Sequence, residues 1–213
     1  MRAAALKLPK LYAILDAASL GSRQELLTFA KSLTAAGITL VQYRDKTGDS
    51  RTILSAAREL NRTLGVEARL IMNDRPDLCL AAGFDGVHLG QDDLTVRGAR
   101  HVLGKDKLIG SSTHNLDQAI AAGASDADYI AIGPIFGTRS KVKPDPVVGI
   151  AGLKEVRRHV KQPLVAIGGL TRENCVAAIE AGADSVAVIS DLIDSSGKDS
   201  VGKRVEDFFR RLE

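Results

Sequence analysis

"AAGITLVQYRDK", residues 35–46, runs from a small-residue helix end through a glycine into an apolar strand, then closes on alternating polar groups. Its first part recurs. "AAGFDGV" (81–87), "AAGASDADYI" (121–130) and "EAGADSV" (180–186) repeat the same join. In each, the pattern predicts a helix closing on a glycine in the left-handed C′ conformation, with a strand beginning within a few residues.

Outward from these joins, short β-type runs alternate with amphipathic helices along the whole chain. The runs are "LYAIL", "TLVQY", "RLIM", "GVHL", "LIGS", "YIAI", "LVAI" and "SVAVI", which makes eight strands. Helical spacing joins Ile53, Ala56, Ala57, Leu60 and Leu64, then Cys175, Ala178 and Ile179, and finally Val201, Val205, Phe208 and Leu212. Strands that read as continuous apolar runs are covered on both faces, as parallel strands with helical crossovers are. Eight such units in 213 residues predict an α/β fold, a (β/α)8 TIM barrel, as one domain over residues 1–213. The rival, a doubly wound open sheet, wants a glycine-rich dinucleotide turn after its first strand, and "AILDAASLGS" has none.

Composition narrows the function classes. Hydrophobic residues make up 45% of the chain, enough for a substantial core, and 29 basic against 26 acidic side chains leave a formal charge of only +3. With aromatics at 4% and no long basic run, the sequence offers no footprint for nucleic acid. No stretch approaches the roughly 18 apolar residues of a membrane span, and "MRAAALKLPK" is broken by Lys7 and Pro9 before any signal-like apolar region. Cys79 and Cys175 lack metal-ligand spacing and fall in predicted helices, which points to buried reduced thiols and a cytoplasmic protein.

In barrels of this kind chemistry sits at the C-terminal ends of the strands, and polar residues collect there. Gln42, Arg44 and Lys46 alternate after the second strand, so one side of an extended segment carries an amide and two cations. "NDR" follows the third strand, "GQDD" the fourth, "SSTHN" the fifth, and a long loop with Thr138, Ser140 and Lys141 the sixth. Asp74 and Asp93 leave neighbouring strands. Two hard oxygen donors without a histidine or thiol companion suit Mg2+, which takes further ligands from water and substrate phosphate. The competing reading makes such acids helix caps or first-turn residues, above all Asp92 in "QDDLTV". Arg44, Lys46 and Lys141 favour the metal reading, because a metal-bound polyphosphate also needs cations.

A second anion site is predicted across the rim. "AIGGLTREN" ends the seventh strand on Gly168 and Gly169 ahead of a helix capped by Thr171, and "SVAVISDL" ends the eighth on Ile189 and Ser190. Glycines admit a ligand close to the backbone, and the loops after strands seven and eight form the common barrel phosphate site. The alternative is that the glycines serve turn geometry alone. Two anion sites on one rim imply two small phosphorylated substrates.

The ordered set "QYRDK", "NDR", "DGVHLGQDD", "IGSSTH", "ADYIAIGPIFGTRSK", "IGGL" and "GADSVAVIS", spread over residues 11–193, resembles the thiamine-phosphate synthase family. The resemblance implies a (β/α)8 enzyme that joins 4-amino-2-methyl-5-(diphosphooxymethyl)pyrimidine to 4-methyl-5-(2-phosphooxyethyl)thiazole, giving thiamine phosphate and pyrophosphate, with Mg2+. It places the pyrimidine-diphosphate contacts on Gln42, Tyr43, Arg44, Asp45, Lys46, Asn73, Ser112 and Lys141, and the metal on Asp74 and Asp93. The thiazole-phosphate contacts fall on Thr138, Arg139, Ser140, Gly169, Ile189 and Ser190. Arg44, Lys46 and Lys141 then stabilise charge on the departing pyrophosphate. Two departures stand out: Ser140, where the family often shows threonine, and Asp191, an acid beside a phosphate site, expected to cap the following turn.

Several residues read otherwise from the bare chain. His88 is expected to be a hydrogen-bonded interior histidine, and alternation alone aims Tyr43 away from Gln42 and Arg44, toward core or helix. His114 fits both a pyrophosphate contact and helix packing. The nearest rival enzyme, resembling thiazole tautomerase, typically lacks the "GQDD" acids and carries histidine where this chain has Pro134.

Overall fold

The computed structural model describes residues 6–138, 145–193 and 199–213. Eight parallel strands pair in chain order, β1 (Leu11–Asp16), β2 (Leu40–Arg44), β3 (Arg69–Asn73), β4 (Gly86–Leu89), β5 (Leu108–Thr113), β6 (Tyr129–Ile132), β7 (Leu164–Ile167) and β8 (Ser185–Val188). β8 pairs back onto β1, Leu11 opposite Val186, so the sheet closes and no strand edge is left unpaired. Between and after them lie α1 (Arg23–Ala35), α2 (Ser50–Leu64), α3 (Pro76–Ala82), α4 (Val96–Leu103), α5 (Leu116–Gly123), α6 (Gly149–His159), α7 (Cys175–Glu180) and α8 (Val201–Leu212). The (β/α)8 architecture predicted from the joins is the architecture found.

Strand pleat divides the core in two. One parity of each strand points outward into the layer beneath the helices, where Leu15, Val41, Tyr43, Met72 and Val87 meet Ile53, Ala57, Leu60 and Phe208. The other parity fills the barrel with Tyr12, Ile14, Leu40, Ile71, Tyr129, Ala131, Val165 and Ala187. Extended toward the C-terminal rim, that inner parity continues as Arg44, Asn73, Gly90, Ser112, Gly169 and Ile189, so the same alternation that packs the barrel aims the polar residues into its mouth.

Helix starts are locally encoded. Ser22, Asp49, Thr95, Asn115 and Ser200 each accept from a backbone N–H of the first turn. Helix ends follow the predicted glycine rule at three of four joins, with Gly37, Gly83 and Gly182 at positive φ. The fourth differs: Gly123 is the last residue of α5 and the cap passes to Ala124 in right-handed helical geometry. Two expected caps also move. Thr95, not Asp92, caps α4, and α7 begins at Cys175 after Asn174 rather than at Thr171, whose side chain instead accepts from Glu173 N at 3.2 Å.

Both cysteines are free and buried, and burial pushes the Cys79 thiol up to about 11, which keeps it inert as a nucleophile. No helix among the described residues is long and apolar enough to cross a membrane.

Candidate active site

The mouth of the barrel holds a cavity of about 510 Å³ whose lining comes from all eight strand ends and the loops that follow them. Arg44, Lys46, Asp74 and Asp93 stand on one side, Gly168, Gly169, Ile189 and Ser190 on the other, and Gln42, His88 and Ser112 form the floor.

On the acidic side, Lys46 Nζ lies 2.9 Å from Asp74 Oδ2. Asp74 has φ 63°, the one non-glycine residue in left-handed backbone among the described residues. Aspartate tolerates that region better than most side chains, and a held backbone of this kind turns the carboxylate inward from the end of β3. Asp93 comes from the loop after β4, which is folded by Gly90 N donating to Asp93 Oδ2 at 2.7 Å. Burial pushes the Asp93 carboxyl above its usual range, and a hydrogen bond with Asp74 and the charge of Asp74 push it further. An acid pair this close is stable when it shares a proton or shares a cation. Among the described residues no group of three or more His, Cys, Asp or Glu converges. A hard cation here would therefore complete its shell with water and substrate oxygens, as Mg2+ does.

Arg44 is not a bare cation. Its Nη1 lies 2.6 Å from Asp16 Oδ1 at the end of β1, and Asp16 is in turn held by Ser19 Oγ at 3.1 Å. Asp16 is buried, so the pair fixes the guanidinium fork at the rim. Sequence reasoning missed Asp16; the signal was an acid terminating the otherwise apolar strand "LYAILD".

The floor is hydrogen-bonded. Gln42 Nε2 donates to Tyr12 Oη at 2.9 Å, His88 Nδ1 lies 3.1 Å from Tyr129 Oη, and His88 Nε2 lies 2.8 Å from Ser112 Oγ. His88 is thus the interior histidine expected, and burial lowers it to about 4. His114 also faces the cavity, with Nδ1 2.7 Å from Gly133 O. Gln91, unremarked in the sequence, donates to Ser112 O at 2.5 Å from the cavity edge.

On the glycine side, Gly168 and Gly169 both adopt positive φ, 92° and 65°. A Cβ on Gly168 would overlap Pro134, and one on Gly169 would overlap Phe136 and the carbonyl of Gly137. The glycines therefore serve loop packing as well as keeping this wall of the cavity low. Contrary to expectation, Asp191 does not cap the following turn, because its carboxylate is taken by arginines. Its Oδ2 accepts from Arg172 N at 2.8 Å and Arg172 Nε at 3.3 Å, and its Oδ1 lies 3.3 Å from Arg204 Nη1. Its charge is turned away from the cavity, and the pairings tie Ser190–Leu192 to the β7–α7 loop and to α8.

Of the sequence-predicted residues, Gln42, Arg44, Lys46, Asn73, Asp74, Asp93, Ser112, Thr138, Gly169, Ile189 and Ser190 line the one cavity. Tyr43 and Asp45 do not. Pleat parity sends Tyr43 outward, where its hydroxyl donates to Asp45 Oδ2 at 3.2 Å, and Asp45 Oδ1 accepts from Thr47 N and Gly48 N at 2.9 Å each, shaping the loop. Arg139, Ser140 and Lys141 lie outside the described residues.

A family model described as thiamine monophosphate synthase matches residues 11–192. A thiamine-phosphate synthase of Koribacter versatilis is 58% identical over 194 residues, covering 90% of this chain and 92% of the relative. One from Methanosarcina mazei is 40% identical over 187 residues, covering 88% and 77%. Among solved structures, thiamine phosphate pyrophosphorylase from Pyrococcus furiosus superposes with a TM-score of 0.83 at 29% identity, covering 95% of each chain.

Proposed function

The chain belongs to the thiamine monophosphate synthase family and is a transferase of thiamine biosynthesis, and on that premise we propose which residues carry the reaction. The cavity takes 4-amino-2-methyl-5-(diphosphooxymethyl)pyrimidine with its diphosphate toward Arg44, Lys46, Asp74 and Asp93, and its ring toward Gln42, Asn73 and Ser112. The thiazole phosphate occupies the opposite wall, at Thr138, Gly169, Ile189 and Ser190. Arg139, Ser140 and Lys141, on the loop after β6, are assigned to the same two anions from sequence alone. The observation that carries this reading is the division of one cavity into an acid-and-cation wall and a glycine wall.

Chemically, the methylene–oxygen bond of the pyrimidine diphosphate breaks, its electron pair leaving with pyrophosphate, and the thiazole nitrogen lone pair forms the new bond to that methylene carbon. The electron-rich aminopyrimidine stabilises the cation between these events. Arg44 and Lys46 neutralise charge growing on the leaving oxygens. Asp16 keeps the Arg44 fork in place while this happens, and Asp74 and Asp93 would hold Mg2+. When bound, the cation supplies further neutralisation of the diphosphate. The remaining work is orientation: the floor holds the pyrimidine and the glycine wall holds the thiazole in line. No side chain has to act as a covalent nucleophile.

We place the enzyme in the cytoplasm, where its two thiols stay reduced. Calorimetric titration of the pyrimidine diphosphate with and without Mg2+ tests the binding half of this account. Markedly tighter binding with the cation is expected; identical affinity in both would refute the acid-pair assignment.

A further inference from the structure

Two tyrosines beneath the cavity floor have no part in the contacts proposed above. Tyr12 on β1 and Tyr129 on β6 are fully buried inside the barrel, and their hydroxyl oxygens lie 3.1 Å apart. With the floor contacts they complete one unbroken chain: Gln42, Tyr12, Tyr129, His88, Ser112. The five residues come from five strands, and the two ends both face the cavity.

The packing is built around this chain. Gly110 on β5 is the register partner of both His88 and Tyr129. A Cβ there would overlap the Tyr129 ring and hydroxyl and His88 Nδ1. Its absence lets imidazole and phenol stack with centroids 5.5 Å apart, while Tyr12 meets Tyr129 edge-on at 6.2 Å. A buried hydroxyl left without a partner costs about 1–3 kcal/mol, so each proton in the chain has to be accepted within it.

Counting protons sets the direction. With Gln42 Nε2 donating to the Tyr12 oxygen, the arrangement that leaves no buried proton unaccepted sends the Tyr12 proton to Tyr129 and the Tyr129 proton to His88 Nδ1. A ring nitrogen that accepts carries no proton, so the neutral imidazole carries its proton on Nε2 and donates to Ser112 Oγ. Ser112 keeps its own proton for the cavity, and Gln42 keeps its carbonyl oxygen.

We propose that Tyr12 and Tyr129 are positioning residues: the relay they complete holds His88 as the Nε2–H tautomer, making Ser112 a donor and Gln42 an acceptor toward the bound pyrimidine. An aminopyrimidine diphosphate presents the complement, an exocyclic amine for Gln42 and an acceptor for Ser112. The proposal rests on the pyrimidine assignment of this cavity, but its direction does not.

Nitrogen NMR on labelled, ligand-free protein, with His88 assigned through His88→Asn, reads the tautomer directly. Nδ1 is expected unprotonated and Nε2 protonated near neutral pH; the reverse, or a doubly protonated ring, overturns the relay. Tyr12→Phe, three links from Ser112, is then expected to mix the His88 tautomers and to lower kcat/KM for the pyrimidine diphosphate about tenfold, with the KM for thiazole phosphate unchanged. Tyr129→Phe does the same more strongly. If both variants leave the His88 resonances and every kinetic constant as they were, the tyrosines merely fill space and the relay is refuted. Loss of thiamine phosphate formation in the wild type, with the tautomer as expected, rejects the reaction assignment and upholds the relay's direction.

Discussion

Lys46 at the end of the β2 rim reaches Asp74 at the end of β3, Nζ to Oδ2 2.9 Å, and so links the cationic and acidic halves of one cavity wall. The lysine side chain is 55% exposed, so it is held by this contact and not by packing. Replacing it removes charge from the proposed leaving-group site without disturbing the core. Lys46→Ala is expected to lower kcat about a hundredfold while the melting temperature stays within a degree or two of the parent. Unchanged turnover would place the diphosphate elsewhere.

Asp93 yields a stability prediction with an unusual sign. Its carboxyl is held above the usual range by burial and by Asp74, so the native state binds a proton more readily than the unfolded chain. Stability from this group is therefore lost as pH rises through the native value, and at neutral pH without metal the ionised acid is a liability. Asp93→Asn should melt at or above the parent in chelator, lack the rise in melting temperature that the account expects Mg2+ to give the parent, and lose activity at least about a hundredfold. A marked destabilisation in chelator would contradict the like-charge account.

Asp16 fixes Arg44 from a buried position. Removing one partner of such a pair leaves an uncompensated charge. Asp16→Ala is expected to cost about 3 kcal/mol of stability in urea unfolding, and to raise the KM for the pyrimidine diphosphate more than that for the thiazole phosphate. Equal effects on both would make Asp16 a scaffold residue only.

His88 has the opposite sign to Asp93. Burial lowers its value from 6.5 to about 4, so the unfolded chain takes up the proton first as pH falls. Its contribution is fully present above about pH 6.5 and is lost progressively toward pH 4, a swing of about 3 kcal/mol. The His88 ring should stay neutral at pH 5.5 by NMR titration, whereas a midpoint near 6.5 would show that it is open to water.

Much of this arrangement was legible in the chain because barrel topology turns short patterns into positions. The helix–glycine–strand join located the strands, and period-two alternation then aimed Gln42, Arg44 and Lys46 inward. The same alternation turns the Tyr43 side chain away from the cavity, and Asp45 also lies outside its lining, although the family resemblance places substrate contacts on both. What sequence missed depends on contacts between distant segments. Asp16 matters through Arg44, 28 residues away, and Tyr12 through Tyr129, 117 residues away. Asp191 is expected from sequence to cap the following turn, but its partners are Arg172 and Arg204, 19 and 13 residues away. Gly123 resembled the other join glycines, yet its helix ends one residue later, where Ala124 serves without positive φ.

The most direct test of the account is to incubate the protein with the pyrimidine diphosphate, the thiazole phosphate and Mg2+, with and without chelator, and to follow thiamine phosphate and pyrophosphate together. Equimolar appearance of both, abolished by chelator and restored by added Mg2+, is the predicted result. Product formation that chelator leaves untouched, or pyrophosphate released without thiamine phosphate, would contradict it.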